Sequence, residues 1–123
     1  MRILIDTHVF VWALSAPDRL SATHRRELQS RSNTILLSSI SVAEIMIKVS
    51  LNRMRFDHDP ILCAERLGCE PLSFTQEDAA LLKDLPFHHR DPFDRMLIAQ
   101  SLAQNTKLMS EDRYFRQYEC DLI

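Results

Sequence analysis

Residues 88–103 (HHRDPFDRMLIAQSLA) restrict the possible folds more than any other stretch of the chain. Asp91 precedes Pro92, the residue best suited to the first helical position, so Asp91 is expected as the N-cap and Asp94 in the third helical position. Both carboxylates then face the positive end of the helix dipole, which favours their ionised form. From 96 to 103 only Gln100 and Ser101 are polar, the pattern of a helix laid against a sheet rather than half exposed to water. Such a helix needs a sheet to cover it. By itself the Asp91/Asp94 pair has a simpler explanation, since it is a variant of the capping box that finishes a helix without further function.

The rest of the chain supplies the sheet. Residues 2–6 (RILID) form a short apolar run ending in an acid, followed by a helical pattern over 7–15 and a break at Pro17. A polar helix is expected over 21–31, with Leu28 as its clearest inward residue. Residues 34–38 (TILLS) read as a second buried strand, and 41–51 as a helix capped by Ser41, with Glu44 three residues on. Asn52 tolerates the left-handed conformation that closes a helix, and 53–56 follow as a short basic and apolar loop. Pro60 opens a helix that Gly68 closes, 70–74 form a third strand, and Thr75 caps a helix through Leu85. Beyond the opening stretch come a fourth strand over 107–110, a short helix over 111–116, and a candidate fifth strand over 120–123.

Strands alternating with helices predict a mainly parallel sheet covered on both faces. Ligands of such sheets gather beyond the carboxyl ends of the strands, where the strand order reverses. Asp6 ends the first strand, Glu44 follows the second and Asp112 the fourth, while Asp94 opens the helix leading into the fourth. Four carboxylates are thus expected on one edge. Each also has a structural reading. Glu44 would complete the cap of Ser41 or pair with Lys48 one turn later, and Asp112 would be an ordinary first-turn acid. Asp6 has no such partner in the sequence.

Composition narrows the chemistry. At 123 residues the chain is expected to form one domain, 1–123, able to bury roughly two thirds of its unfolded surface. Its net charge of −2 provides no broad basic face; counting four site acids out of that total leaves +2, compatible with a polyanionic substrate. Gly68 is the only glycine, which excludes glycine-rich phosphate loops. Cys63, Cys69 and Cys120 match no zinc spacing and are expected to be reduced and wholly or partly buried. No secretory leader or long apolar segment is evident, so a soluble cytoplasmic protein without membrane attachment is expected.

Two carboxylates about 4 Å apart repel by roughly 4 kcal/mol at an effective dielectric near 20, so a cluster of four calls for a cation. Oxygen donors favour Mg²⁺ or Mn²⁺, and such ions suit hydrolysis of a phosphate ester. His8, His88 and His89 are not spaced as zinc ligands and are expected in positioning or solvent-exposed roles. Arg53, Arg55, Arg90, Arg95 and Arg113 are candidate phosphate contacts, with surface ion pairing as the alternative. Trp12, Phe10 and Phe93 are expected in the core.

With Asp6, Glu44, Asp94 and Asp112 assembled, the chain resembles the PIN-domain family, and within it the VapC-like ribonuclease toxins of bacterial and archaeal toxin-antitoxin pairs. The likeness spans nearly the whole chain and is carried by ILIDTHVFVW, SVAEIMIKVSL, HHRDPFDRMLIAQSLA and LMSEDRYFRQY in that order. It implies an α/β fold, a three-layer α/β/α sandwich with a mainly parallel central sheet. It also implies that Asp6, Glu44, Asp94 and Asp112 are catalytic ligands of Mg²⁺ or Mn²⁺ in an endoribonuclease acting on single-stranded or loop RNA. Thr7 and Ser110 match positions that orient the acids, Ser110 standing where Thr is more usual. Asp91 fits the subfamily pattern and is kept as a cap supporting the ligands. Asn52 and Asn105 stand where Gly is common, and both tolerate turn conformations.

Membership would further bring a cognate antitoxin and homodimers that join it in larger assemblies. Ile47, Leu51, Met54 and Phe56 are the apolar candidates for such an interface, with core packing expected of the first two. Two other functions remain open on sequence: a catalytically silent module binding protein or RNA, and a metal-dependent phosphatase. Against a haloacid-dehalogenase-like phosphatase, position 8 is His rather than a second Asp.

Overall fold

Short apolar runs bounded by helix caps produce a four-stranded, wholly parallel sheet in a computed structural model that describes residues 1–123. The strands are β1 (Arg2–Ile5), β2 (Thr34–Ser38), β3 (Glu70–Leu72) and β4 (Lys107–Met109), in the order β3-β2-β1-β4. The central strand is in register with both neighbours, Leu4 lying beside Leu36 and Leu108.

Alternation along β1 divides the core. Ile3 and Ile5 point to one face with Ile35, Leu37 and Met109, where they meet Val9, Phe10, Ile45 and Ala64. Those partners come from α1 (Thr7–Ser15), α3 (Ser39–Ser50) and α4 (Pro60–Leu67). Leu4, Leu36 and Leu108 point to the other face, against Leu97 and Ile98 of α6 (Pro92–Gln104) and against Phe115 and Tyr118. This is the expected three-layer α/β/α sandwich. No helix is long and apolar enough to cross a membrane.

Caps set most boundaries. Asp91 accepts from the Phe93 and Asp94 N–H groups and opens α6 before Pro92. Gly68 closes α4 at φ +84°, and Asn52 and Asn105 adopt φ of 55° and 53° after α3 and α6. Two helices lie elsewhere than expected. α3 starts at Ser39 under a Ser38 cap, so Ser41 is an internal residue, and its hydroxyl is spent on Thr7. The polar helix shortens to α2 (Ala22–Gln29), and its most buried residue is His24 rather than the half-buried Leu28.

Other expected elements are tighter or shorter than the sequence patterns suggest. β3 ends at Leu72 and β4 at Met109. The helix after Thr75 is a single α turn, α5 (Gln76–Ala80), followed by a 3₁₀ turn over Leu81–Asp84. The last helix is a 3₁₀ turn, Arg113–Gln117, capped by Asp112. The candidate fifth strand reduces to one parallel bridge, Leu108 to Leu122, along the β4 edge.

Ile47 and Leu51 overturn the expectation of core packing: they stand 45 % and 56 % exposed on α3, whereas Met54 and Phe56 fold back onto the core. The helical period places Ile47 and Leu51 one turn apart, on the side of α3 away from Ile45. Phe10 is fully buried, but Trp12 is only half-buried, with Arg19 over its ring, and Phe93 is also half-buried. Cys69 is buried, and Cys63 and Cys120 are partly so; all three are free.

Candidate active site

The carboxyl ends of β1, β2 and β4 open on one edge of the sheet, and the turns leaving them carry most of the acids. Asp6 directly follows β1. Its N–H donates to the Met109 carbonyl at 3.0 Å, tying it to the end of β4, and its carboxylate accepts from the Val9 N–H at 2.8 Å as the cap of α1. Glu44 lies fully buried in the second turn of α3. Thr7 makes the link between these elements, its hydroxyl hydrogen-bonded to Glu44 Oε1 at 2.7 Å and to Ser41 at 2.9 Å. The other Glu44 oxygen meets Lys48 Nζ at 2.6 Å, so the expected pairing one turn later is present as well.

Asp94 enters from the mouth of α6 and Asp112 from the turn after β4. Asp112 is the more open of the two, with a third of its side chain exposed, and it caps the final 3₁₀ turn through the Tyr114 N–H. Ser110 accepts from the Asp112 N–H at 3.0 Å and lies near enough to Asp6 to favour its charged form. Of the four acids, Asp94 and Asp112 bring oxygens within 4.8 Å of one another, together with His89, whereas Asp6 and Glu44 stand outside that group, Asp6 as the cap of α1 and Glu44 bound by Thr7 and Lys48.

Crowding has an electrostatic cost. Burial pushes the Asp94 carboxyl up to about 8, and the charges of Asp91, Asp6, Glu44 and Asp112 add to that push. Asp6 is also raised, chiefly by burial, although Ser110, the Val9 N–H and the charge of His8 work in the opposite direction. Groups that resist ionising for lack of counter-charge are what a divalent cation relieves, and a set of carboxylate oxygens suits Mg²⁺ or Mn²⁺. The residues present fit such an ion.

His89 is the site residue least visible in the sequence. Its Nε2 lies 2.9 Å from Asp94 and 3.5 Å from Asp112, and the three side chains bring their ligand atoms within 4.8 Å of one another. These approaches are close but not aligned as hydrogen bonds. The Nδ1 atom accepts the Asp91 N–H at 3.3 Å, which assigns the proton of a neutral ring to Nε2. His89 thus offers the two acids a donor rather than a lone pair. His8 and His88 are exposed.

The loop holding His89 is fastened from behind. The Tyr118 hydroxyl accepts the His88 and His89 N–H groups at 3.1 and 2.8 Å. Arg95 donates to Pro86 O, Leu85 O and Tyr118 Oη, and stacks beneath the Phe87 ring. Arg95 is buried and committed to this loop, so it is not the phosphate contact that the sequence suggested. Arg55 pairs with Asp57, and Arg53, Arg90 and Arg113 are exposed.

Comparison with known proteins identifies the family and the fold. The family model described as PIN domain matches residues 3–119. A structure of VapBC2 from Rickettsia felis bound to a DNA fragment from its promoter aligns with a TM-score of 0.75 at 17 % identity, over 100 % of this chain and 98 % of that one. DNA-bound VapBC from Salmonella typhimurium aligns with a TM-score of 0.70 at 14 % identity, over 100 % and 97 %. VapBC-5 from Mycobacterium tuberculosis aligns with a TM-score of 0.63 at 15 % identity, over 99 % and 95 %. No curated protein sequence matches the chain.

Proposed function

The chain belongs to the PIN-domain family, and on that premise we propose that residues 1–123 act as a single-domain, metal-dependent endoribonuclease, the toxin of a toxin-antitoxin pair. The observation that carries the reading is the meeting of Asp94 and Asp112 oxygens within 4.8 Å of one another at the carboxyl end of the sheet, where Asp6 is tied to Met109 and Glu44 to Thr7. Asp6, Glu44, Asp94 and Asp112 are the proposed ligands and catalytic residues, with Thr7, Ser110 and Asp91 orienting them. When bound, Mg²⁺ or Mn²⁺ supplies Lewis acidity toward the phosphate and toward water.

The chain's own part is to hold charge and geometry. Thr7 fixes Glu44, Ser110 holds the Asp112 backbone, and Asp91 anchors the N–H groups of the turn that presents Asp94. In-line attack of water on phosphorus breaks the bond to the leaving oxygen, and the water proton passes to a site carboxylate or to solvent.

His89 is a positioning residue in this scheme, steadying Asp94 and Asp112 by its donor. His89→Ala should weaken Mn²⁺ binding about tenfold, as loss of a ligand-orienting partner commonly does. His89→Gln, whose amide N–H₂ reaches to the same place as Nε2, should recover most of that affinity. Calorimetric titration of both variants is the check, and equal affinity in Ala, Gln and wild-type proteins would remove His89 from the scheme.

A cytoplasmic antitoxin partner and a homodimer complete the reading. Support comes from structural neighbours solved as VapBC complexes and from the exposed apolar residues Met46 and Ile47 of α3, Leu51 at its C-cap and Ile61 of α4. The functional test is cleavage of cellular RNA by the purified, antitoxin-free chain in Mg²⁺ or Mn²⁺, with EDTA and Asp6→Asn as controls. Cleavage that requires metal and disappears in Asp6→Asn is expected. A folded protein that binds metal and leaves every RNA intact would reject the nuclease and favour the silent module.

A further inference from the structure

A polar cavity of about 410 Å³ adjoins the acid cluster and shares Ser110 and Asp112 with it. Its far wall is built by α2 and by the turn after β4. There Glu111 Oε1 accepts the Ser21 N–H at 2.7 Å and lies 2.7 Å from His24 Nδ1, while His24 Nε2 meets the Ile123 carbonyl at 2.8 Å. The Ser21 N–H and the His24 ring thus hold the same Glu111 oxygen, Oε1. Oε1 takes both of these contacts and Glu111 lines the cavity, so Oε2 is the oxygen left to meet a ligand there. Thr23 adds an exposed hydroxyl, and Arg116 contributes a cation that belongs to no ion pair of the chain.

A volume of this size, opening beside the reacting centre, suits one nucleotide. The held Glu111 carboxylate favours a base edge with an amino donor, as cytosine, adenine and guanine provide. Uracil offers one N–H flanked by two carbonyl oxygens, which face a carboxylate unfavourably. We propose that this cavity holds the RNA nucleotide next to the cleaved phosphodiester and selects amino-bearing bases over uracil through Glu111, with Arg116 on a flanking phosphate. The inference deepens the nuclease reading and rests on it.

Two experiments on the full chain test it. In the first, a random single-stranded RNA pool is cleaved in Mg²⁺ and the new ends are sequenced for wild type, Glu111→Gln, Thr23→Trp and Arg116→Ala. In wild type, uracil should be depleted about tenfold at one position beside the cut, the discrimination typical of one good base contact. Glu111→Gln keeps an oxygen for Ser21 and His24 and turns an amide N–H₂ into the cavity, so the preference should reverse toward uracil. Thr23→Trp, on an exposed turn, should erase it by filling the space. Arg116→Ala should raise KM without changing the preference.

In the second, the His24 ring resonances are followed by NMR while each of the four nucleoside 5′-monophosphates is added. CMP, AMP and GMP should shift them at lower concentration than UMP. Identical end preferences in wild type, Glu111→Gln and Thr23→Trp would overturn the subsite while leaving the nuclease intact. A wild-type protein that cuts no RNA would sink the nuclease instead, and the NMR titration would still judge the cavity: equal responses to all four nucleotides, or none, reject it.

Discussion

In metal-free buffer at pH 8, Asp94→Asn is expected to be more stable than wild type by on the order of 5 kcal/mol, although the same change removes cleavage by on the order of a hundredfold or more. The carboxyl of Asp94 stays protonated in the folded chain up to about 8, pushed there by burial and then by Asp91, Asp6, Glu44 and Asp112. In the unfolded chain an aspartate loses its proton near 3.9. Between those values the folded state binds more protons, so stability falls as pH rises. The contribution is fully present below about pH 4 and is lost as pH climbs through about 8. Asparagine is neutral throughout and removes that slope.

A divalent cation should narrow the difference. Saturating Mg²⁺ or Mn²⁺ stabilises wild type by about 2.7 kcal/mol at a hundred times its dissociation constant, and Asp94→Asn much less. Denaturant titrations at pH 5 and pH 8, with and without metal, give the four values needed. Equal pH slopes for the two proteins in EDTA would show that Asp94 carries no stored electrostatic cost.

Arg95→Ala should be the most damaging substitution outside the acids, at about 3 kcal/mol. Arg95 is buried without a carboxylate partner, and its guanidinium instead donates to Leu85 O, Pro86 O and Tyr118 Oη. Truncation leaves the Leu85 and Pro86 carbonyls short of the Arg95 donors and opens a cavity beside α6, two costs that add. The loop they secure carries His89, so metal affinity should drop with stability. Phe87→Ala is the control: its ring is 81 % exposed and lies over the same guanidinium, and its loss should cost less than about 1 kcal/mol. Chemical denaturation of both variants distinguishes them, and similar losses would mean that the stacking, rather than the backbone hydrogen bonds, holds the loop.

Local chemistry made much of this architecture legible. Pro92 after Asp91, Pro60 followed by Gly68, and the apolar run of β2 each correspond to the observed boundaries, because cap and strand preferences act within a few residues. The positions of Asp6, Glu44 and Asp112 followed from the parallel-sheet rule once the strands were known. What remained hidden depends on contacts distant in sequence. Ser38, Ser39 and Ser41 are interchangeable as caps on paper, and the hydrogen bond of Ser41 to Thr7, 34 residues away, separates them. His24 looked like part of a solvated helix because apolar periodicity ignores a polar residue buried by a partner 87 positions distant. His89 could not be read as a donor without its Asp91 contact, and Ile47 and Leu51 looked like core residues because their spacing suits a buried face as well as an exposed one.

The two borders of the sheet bear on how copies of this chain can meet. β3 presents only three residues at one border, and the middle one is Pro71, which has no N–H to offer an incoming strand. At the other border the backbone of Leu108 is already engaged by Asp121 and Ile123. Neither side is a template for strand addition, which protects the chain from edge-to-edge aggregation. Self-association is thereby steered to the helical faces, and a dimer built from this chain will have two separate sheets rather than one continuous one.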